Sequence, residues 1–225
     1  VLHGFNVRDH NWDLSTEVQH QLWPSLSVTG GYYRNWYGNY RVTDNLSISP
    51  EDFTPYCITA PNDRFLPGGG GYQVCGLYDL NPAKFGQVNN LVSRASKFGK
   101  HKHVNDFFNA SLNVRLSSGV LLSGGVDTGR TVYDNCFVVD SPQELLNCRV
   151  VIPFKNQTQI KLNGSYPLPG DFVVSGVFQN VSGPAVDLVY SASNTEIAPV
   201  LKRNLSACGT RNPCNSTALV PLFRP

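Results

Sequence analysis

Hydrophobic and polar residues alternate along six stretches of the chain. In the first stretch, even positions such as Trp12, Leu14 and Val18 are mostly apolar, and the odd positions carry Asn, Asp, Ser, Glu and Gln. A period of two is typical of a β-strand with one apolar and one polar face. The pattern predicts six such strands, namely Asn11–Leu22, Leu26–Tyr33, Asp106–Leu116, Val120–Gly129, Gln157–Tyr166 and Phe172–Gln179.

The six strands fall into three hairpins. Turns of about three or four residues at Pro24, Ser118 and Pro169 join the strands of each hairpin. The connections between hairpins, 37–105 and 130–156, are long, and this alternation of short and long connections is typical of outer-membrane barrels. We therefore predict an all-β fold, an antiparallel transmembrane β-barrel segment of long hairpins with short periplasmic turns and long extracellular loops. Weaker patterns add two candidate strands, Gln73–Leu80 and Ala185–Ala192.

The two faces of these strands differ in composition. The polar face holds Gln, Asn, Ser, Asp and Gly, with few of the Lys and Glu residues that usually cover a soluble sheet, and this favours the lining of a water-filled lumen. The apolar face ends in aromatic residues that suit two interfacial girdles. These are Trp12 and Tyr32 towards the long loops, and Trp23, Tyr166 and Phe172 beside the short turns. The alternative is a soluble β-sandwich, in which the same aromatics would lie in the core.

Composition and cysteine spacing narrow the function classes. Charged residues make up 15% of the chain and its net charge is +2, which gives no global attraction to nucleic acid. The six cysteines form three local candidate pairs, Cys57/Cys75, Cys136/Cys148 and Cys208/Cys214, among fifteen possible connectivities. None has zinc-finger spacing. Local disulfides are expected, and they indicate an oxidising compartment.

The sequence contains no complete catalytic or metal-binding motif. Asp127-Thr128-Gly129 matches the aspartic-protease triplet, but no second copy exists to supply the paired carboxylate. His101 and His103 have the spacing of a metal pair without a third ligand nearby, and the segment is expected to be a solvated loop. No nucleophile elbow is present, and no carboxylate pair suggests a jelly-roll hydrolase. We therefore predict no enzyme activity, no cofactor and no metal.

Candidate ligand-contacting residues lie in two groups. Polar residues of the predicted lumen face could bind a ligand directly, and these are Glu17, Gln19, Asn113, Arg115, Asp127, Gln159 and Lys161. Aromatic residues of the first long loop could stack on a sugar or a chelate. These are Tyr37, Tyr40, Phe53 and Tyr56.

Three stretches resemble a known family. They are YDLNPAKFG at Tyr78–Gly86, VRLSSGVLLSGG at Val114–Gly125 with TGRT following, and IKLNGSYPLP at Ile160–Pro169. Together with Asn11-Trp12-Asp13, they resemble the C-terminal barrel region of TonB-dependent outer-membrane receptors. The likeness is to large acidobacterial-type receptors that carry a carboxypeptidase-regulatory-like domain. It covers most of the chain.

The resemblance implies a 22-stranded barrel with a plug domain in its lumen. Residues 1–225 would then be one domain, a partial barrel that lacks the plug and the closing C-terminal strand. The implied function is ligand capture and energy-coupled uptake of a metal chelate or an oligosaccharide at the bacterial outer membrane. The implied partners are outer-membrane lipid, the ligand, and the TonB–ExbB–ExbD complex acting through the plug. The alternative is a secreted β-sandwich carbohydrate-binding module.

Overall fold

A computed structural model describes residues 7–183 and 187–223. The described residues form thirteen β-strands and one α-helix. They are β1 (His10–Trp23), β2 (Leu26–Gly38), β3 (Arg41–Asn45), β4 (Phe53–Thr59), β5 (Gln73–Leu80), β6 (Asn90–Arg94), β7 (Lys102–Arg115), β8 (Leu121–Asp134), β9 (Arg149–Ile152), β10 (Gln159–Leu168), β11 (Phe172–Asn180), β12 (Leu188–Ser193), α1 (Asn194–Leu201) and β13 (Thr217–Phe223). Within the described ranges, no helix has the length and apolar character needed to cross a membrane.

The chain divides into two compact units, and the prediction of one domain over residues 1–225 stays a prediction. Unit 1 contains Val1–Asn39, Lys102–Asp134 and Arg149–Pro184. Unit 2 contains Tyr40–His101, Asn135–Cys148 and Ala185–Pro225. Unit 2 is therefore built largely from the segments that the sequence pattern left as long connections.

Unit 1 is a seven-stranded antiparallel sheet. Its strand order is β1-β2-β7-β8-β10-β11, and β9 pairs with the free end of β8 beyond β10. The all-β antiparallel fold and the three hairpins are confirmed. Several strands continue past the ends of the clear alternation. β7, for example, begins at Lys102, which pairs with Asp134, because the backbone ladder between β7 and β8 extends that far.

Unit 1 leaves its apolar face exposed. The register pairs even residues with even residues, so the apolar side chains of neighbouring strands share one face. A register shift after Gln21 makes Trp23 pair with Leu26, so this odd residue joins the apolar face as well. Trp12, Trp23 and Phe172 are 59%, 63% and 70% exposed. No described residue covers this face as a second layer would, and an apolar patch of this kind is unusual on a soluble monomer.

Unit 2 has a conventional hydrophobic core. Two two-stranded sheets, β4–β5 and β12–β13, form it together with α1, and the unit also contains the two-stranded sheet β3–β6. The buried core residues are Tyr56, Ile58, Leu77, Ala192, Ile197, Leu201, Leu205, Cys208 and Val220. The candidate strand Gln73–Leu80 is β5 and pairs with β4 here. Of the candidate Ala185–Ala192, residues 185 and 186 lie outside the described residues, and residues 188–192 belong to β12.

All three disulfides lie in unit 2. They join Cys57 to Cys75, Cys136 to Cys148, and Cys208 to Cys214, which confirms the local pairing expected from the sequence. No free cysteine remains among the described residues. The sheet of unit 1 is therefore held by non-covalent contacts, whereas unit 2 carries all three disulfides.

Candidate functional site

The polar face of unit 1 brings together eight of the predicted ligand-contacting residues. Odd residues pair with odd residues from β1 through β2, β7 and β8 to β10, as far as the register shift after Gln21. The residues that share this face are Glu17, Gln19, Tyr37, Asn113, Arg115, Asp127, Gln159 and Lys161. Glu17 and Asp127 belong to the same cross-strand row. Lys161 lies one row closer to the short turns. These residues, distant in sequence, therefore share one surface.

An aromatic row crosses the polar face at the end opposite the short turns. Tyr37 stacks on His103 with ring centroids 4.5 Å apart and planes 14° apart. His103 in turn meets Tyr133 edge-on at 5.6 Å. Tyr37 was predicted in a loop but lies in β2, and His103 was expected in a solvated loop but lies in β7. The alternation of His103, Asn105 and Phe107 is the signal that could have found this row.

Below the aromatic row, the carboxylates accept hydrogen bonds from neutral groups. Asp13 accepts from the side-chain amides of Asn11, at 2.9 Å, and of Asn35. Glu17 accepts from the hydroxyl of Tyr33 at 2.8 Å. We call the half of the polar face nearer the aromatic row its upper half. Its carboxylates find their hydrogen-bond donors on neighbouring residues of the same face.

Two aromatic rings lie flat on this face because glycines make room for them. A Cβ at Gly129 would lie 2.1 Å from the ring of Phe107, its partner across the strands. A Cβ at Gly31 would lie 2.7 Å from the hydroxyl of Tyr33. Any larger residue at Gly129 would push the ring off the sheet and into the space in front of the polar face.

A cavity of about 930 Å³ occupies the polar face beside the short turns, and we call it the turn-end cavity. Gln19 and Gln21 of β1 line it, and so do Ser175 and Val177 of β11. The sheet therefore curves, because both of its outermost strands reach the same concavity. The polar side chains from the strands between them are Ser27, Asn113, Arg115, Ser123, Asn163 and Ser165.

The other three predicted aromatics lie in unit 2. Tyr40 stacks on His101 with ring centroids 3.6 Å apart. Phe53 begins β4 opposite Leu80 and is half-buried. Tyr56 is 6% exposed in the core, where burial, and secondarily the charge of Asp79, raises the pKa of its hydroxyl. Its ring contacts the protein interior, and ligand contact by these three residues stays a prediction.

No protein-family profile, curated protein or solved structure matches the chain. Among the described residues there is also no group of three or more His, Cys, Asp or Glu side chains placed to hold a metal ion. A functional interpretation therefore depends on the two faces of unit 1 and on the turn-end cavity.

Proposed function

We propose that the chain is part of the β-barrel of a TonB-dependent outer-membrane receptor that captures a nutrient and imports it with energy from the TonB–ExbB–ExbD complex. One observation carries the proposal. The sheet of unit 1 exposes an apolar face bounded by aromatics at both ends, and its opposite face is polar and concave. Lipid would cover the first face and lumen water the second.

The height of the apolar face fits an outer membrane. Trp12 and Trp23 mark its two ends on β1 and are both largely exposed. Eleven residues at about 3.4 Å per residue span about 37 Å, and a strand tilt of about 45° would reduce this to about 26 Å. The apolar band of such barrels is about 25 Å tall between its aromatic girdles.

A charged row on the apolar face supports the same placement. Arg34 forms a salt bridge of 3.3 Å with Asp106, which also accepts a hydrogen bond of 2.7 Å from Tyr32. Arg130 of β8 lies opposite Asp106 in the strand register. This row lies beside the row of Trp12 and Trp36. Charges at that level cost about 0–1 kcal/mol near the headgroups, in contrast to the bilayer midplane.

The alternative of a secreted β-sandwich would need a second layer over the apolar face. Val18 is 69% exposed and Phe178 is 55% exposed, so no described residue supplies that layer. The exposed face favours the membrane proposal over the carbohydrate-binding sandwich.

In the proposed mechanism, unit 2 belongs to the extracellular loops and takes part in ligand capture. Its three disulfides would hold these loops in shape in an oxidising compartment. The ligand would then pass along the polar face after TonB pulls on a plug domain. No covalent chemistry is part of this mechanism.

Fractionation tests the proposal directly. The complete gene product is expressed in a Gram-negative host, and its membrane fraction is analysed by electrophoresis with and without boiling. We expect the protein in the outer-membrane fraction with a mobility that changes on heating, because closed barrels resist detergent until heated. Release as a soluble monomer would overturn the proposal and favour the sandwich.

A further inference from the structure

The charged side chains that the described strands place on the apolar face of unit 1 all lie at the end opposite the short turns. They are Arg34, Lys102, Asp106, Arg130, Asp134 and Arg149. From the row of Tyr32 and Phe108 to the short turns, the described strand residues of this face include no Asp, Glu, Lys or Arg. The two ends of the apolar face therefore differ in their chemistry.

The first of two charged rows on this face consists of Arg34, Asp106 and Arg130 on β2, β7 and β8. The Asp106 carboxylate forms a salt bridge of 3.3 Å with Arg34 and accepts a hydrogen bond of 2.7 Å from the hydroxyl of Tyr32. Arg130, on its other side, forms no salt bridge with a described residue. One carboxylate thus lies between two guanidinium groups, and the row carries a surplus positive charge.

The second charged row repeats the order of cation, carboxylate and cation. Asp134 lies opposite Lys102 on one side and opposite Arg149 on the other, with a salt bridge of 3.7 Å to Arg149. The row that contains Trp36 and Val104 lies between the two charged rows. The charged rows are about 14 Å apart along β7, at about 3.4 Å per residue. Together they hold four cations and two carboxylates.

In the proposed barrel, the surplus charge of the first row would be compensated by lipid. Arg34 lies opposite Leu14 of β1. Leu14 lies between Trp12 and Trp23, the two ends of the apolar face on that strand, so the first row lies just inside the apolar band. A cation at this depth needs an anionic partner or must extend to the interface. The nearest anions outside the protein are headgroup phosphates, which arginine binds through two parallel hydrogen bonds.

The spacing of the two rows favours a lipid with two phosphates. A single phosphate is too small to contact two rows about 14 Å apart, whereas a headgroup with a phosphate at each end can contact both. The long connections between hairpins begin at the same end of the sheet. In the proposed barrel these connections are extracellular, so the lipid belongs to the outer leaflet.

We propose that the two charged rows bind an outer-leaflet lipid whose headgroup carries two phosphates. Arg34 and Arg130 bind one phosphate, and Lys102 and Arg149 bind the other. The inference deepens the proposed function and rests on it, because the apolar face must contact lipid for a headgroup to reach the rows. It concerns the outward face of the sheet and is independent of the nutrient that the receptor imports.

Native mass spectrometry of the complete gene product in detergent tests the inference. The purified protein is freed of lipid and mixed with diphosphoryl lipid A, or with monophosphoryl lipid A of the same acyl chains. We expect the protein to retain diphosphoryl lipid A about 10-fold more strongly, because the second phosphate adds charge-assisted hydrogen bonds. Retention should fall as the salt concentration rises, since salt screens the attraction between exposed charges.

Two variants test the rows one at a time. Arg130→Gln and Lys102→Gln each remove one cation and leave the salt bridge of its row in place. Each should weaken retention of diphosphoryl lipid A about 5- to 10-fold. Lys161→Gln is the matched control, because it removes the same charge from the polar face of the same sheet. It should leave retention unchanged, and all three variants should keep the heat-dependent mobility of the parent.

Equal retention of the two lipids would overturn the inference, and so would equal weakening by Lys161→Gln. Neither result would affect the outer-membrane fractionation of the parent protein. A failed inference and a failed proposed function are therefore distinguishable.

Discussion

Asp79 is the one charged side chain that is buried among the described residues of the chain. Its carboxylate pairs with the guanidinium of Arg203 and accepts hydrogen bonds of 2.9 Å from the backbone N–H and the hydroxyl of Ser206. It therefore joins β5 to the segment after α1. A buried carboxylate of this kind is tolerated only while its partners remain.

Removing the cation should destabilise unit 2. Arg203→Met keeps the aliphatic stem but leaves Asp79 without its counter-charge, and we expect a loss of about 3 kcal/mol in local stability. Hydrogen–deuterium exchange of peptides from β4 and β5 measures this loss. Lys84→Met is the control, because its salt bridge with Asp52 at 3.7 Å is more exposed and should contribute about 1 kcal/mol or less. Equal effects of the two variants would contradict the buried-pair argument.

Helix α1 shows how a short element depends on one side chain. Glu196 accepts hydrogen bonds from the hydroxyl of Tyr190 and from the backbone N–H of Ser193, the residue before the helix. The Tyr190 hydrogen bond, followed by those from Ser193, lowers the pKa of Glu196. At the other end, Lys202 adopts a left-handed conformation, with φ of 56°, that ends the helix.

The start of α1 should weaken in acid. Since the folded pKa of Glu196 lies below its ordinary value of 4.5, its stabilisation is complete above that value and is lost as pH falls through the folded pKa. Glu196→Gln retains a capping acceptor but does not titrate. Exchange of the amides at the start of α1, compared between parent and variant at each pH, should diverge only in acid. Parallel curves down to the lowest pH would contradict this role.

In the strands of unit 1, adjacent residues lie on opposite faces of the sheet, so substitutions at neighbouring positions should differ in their effect on stability. Leu112 lies on the apolar face and Asn113 on the polar face next to it. In the proposed barrel, Leu112→Lys should cost about 2–4 kcal/mol near the bilayer midplane, and Asn113→Lys should be nearly neutral. Urea unfolding of the membrane-inserted protein measures both. Equal tolerance of the two substitutions would argue against a lipid-facing side.

At the scale of the whole molecule, the disulfides and the extended sheet lie in different units. All three disulfides belong to unit 2, and the extended sheet belongs to unit 1. A disulfide stabilises mainly by limiting the unfolded chain, so its effect should be confined to the unit that contains it.

The double variant Cys57→Ala/Cys75→Ala tests this separation. The bridge closes a loop with a sequence separation of 18, for which loop closure predicts about 3 kcal/mol. Exchange should increase in peptides of unit 2 and stay unchanged in β1, β2 and β7. As an internal check, thiol labelling should find no reactive thiol in the native parent and six reactive thiols after reduction. A comparable increase in unit 1 would contradict the separation.

Part of the candidate site was predictable because strand faces follow the parity of residue numbers. Glu17, Asp127 and Lys161 were assigned to one surface from alternation alone, and the register of unit 1 agrees. The same rule could not predict that Tyr56 is buried. Its strand, β4, lies in a segment without clear alternation, and the ring is buried by residues from distant parts of unit 2.

The sequence by itself determined six of the seven strands of unit 1, their hairpins and their two faces, because a period of two and a tight turn are local properties. The short strand β9 lies in a segment that the pattern left as a connection. Only the tertiary structure decided that the long connections condense into a second unit with its own core. It also decided that Asp79 meets Arg203, 124 residues away in sequence, and that both outermost strands bound one cavity. Such contacts depend on chain closure over long distances, which no local pattern of residues encodes.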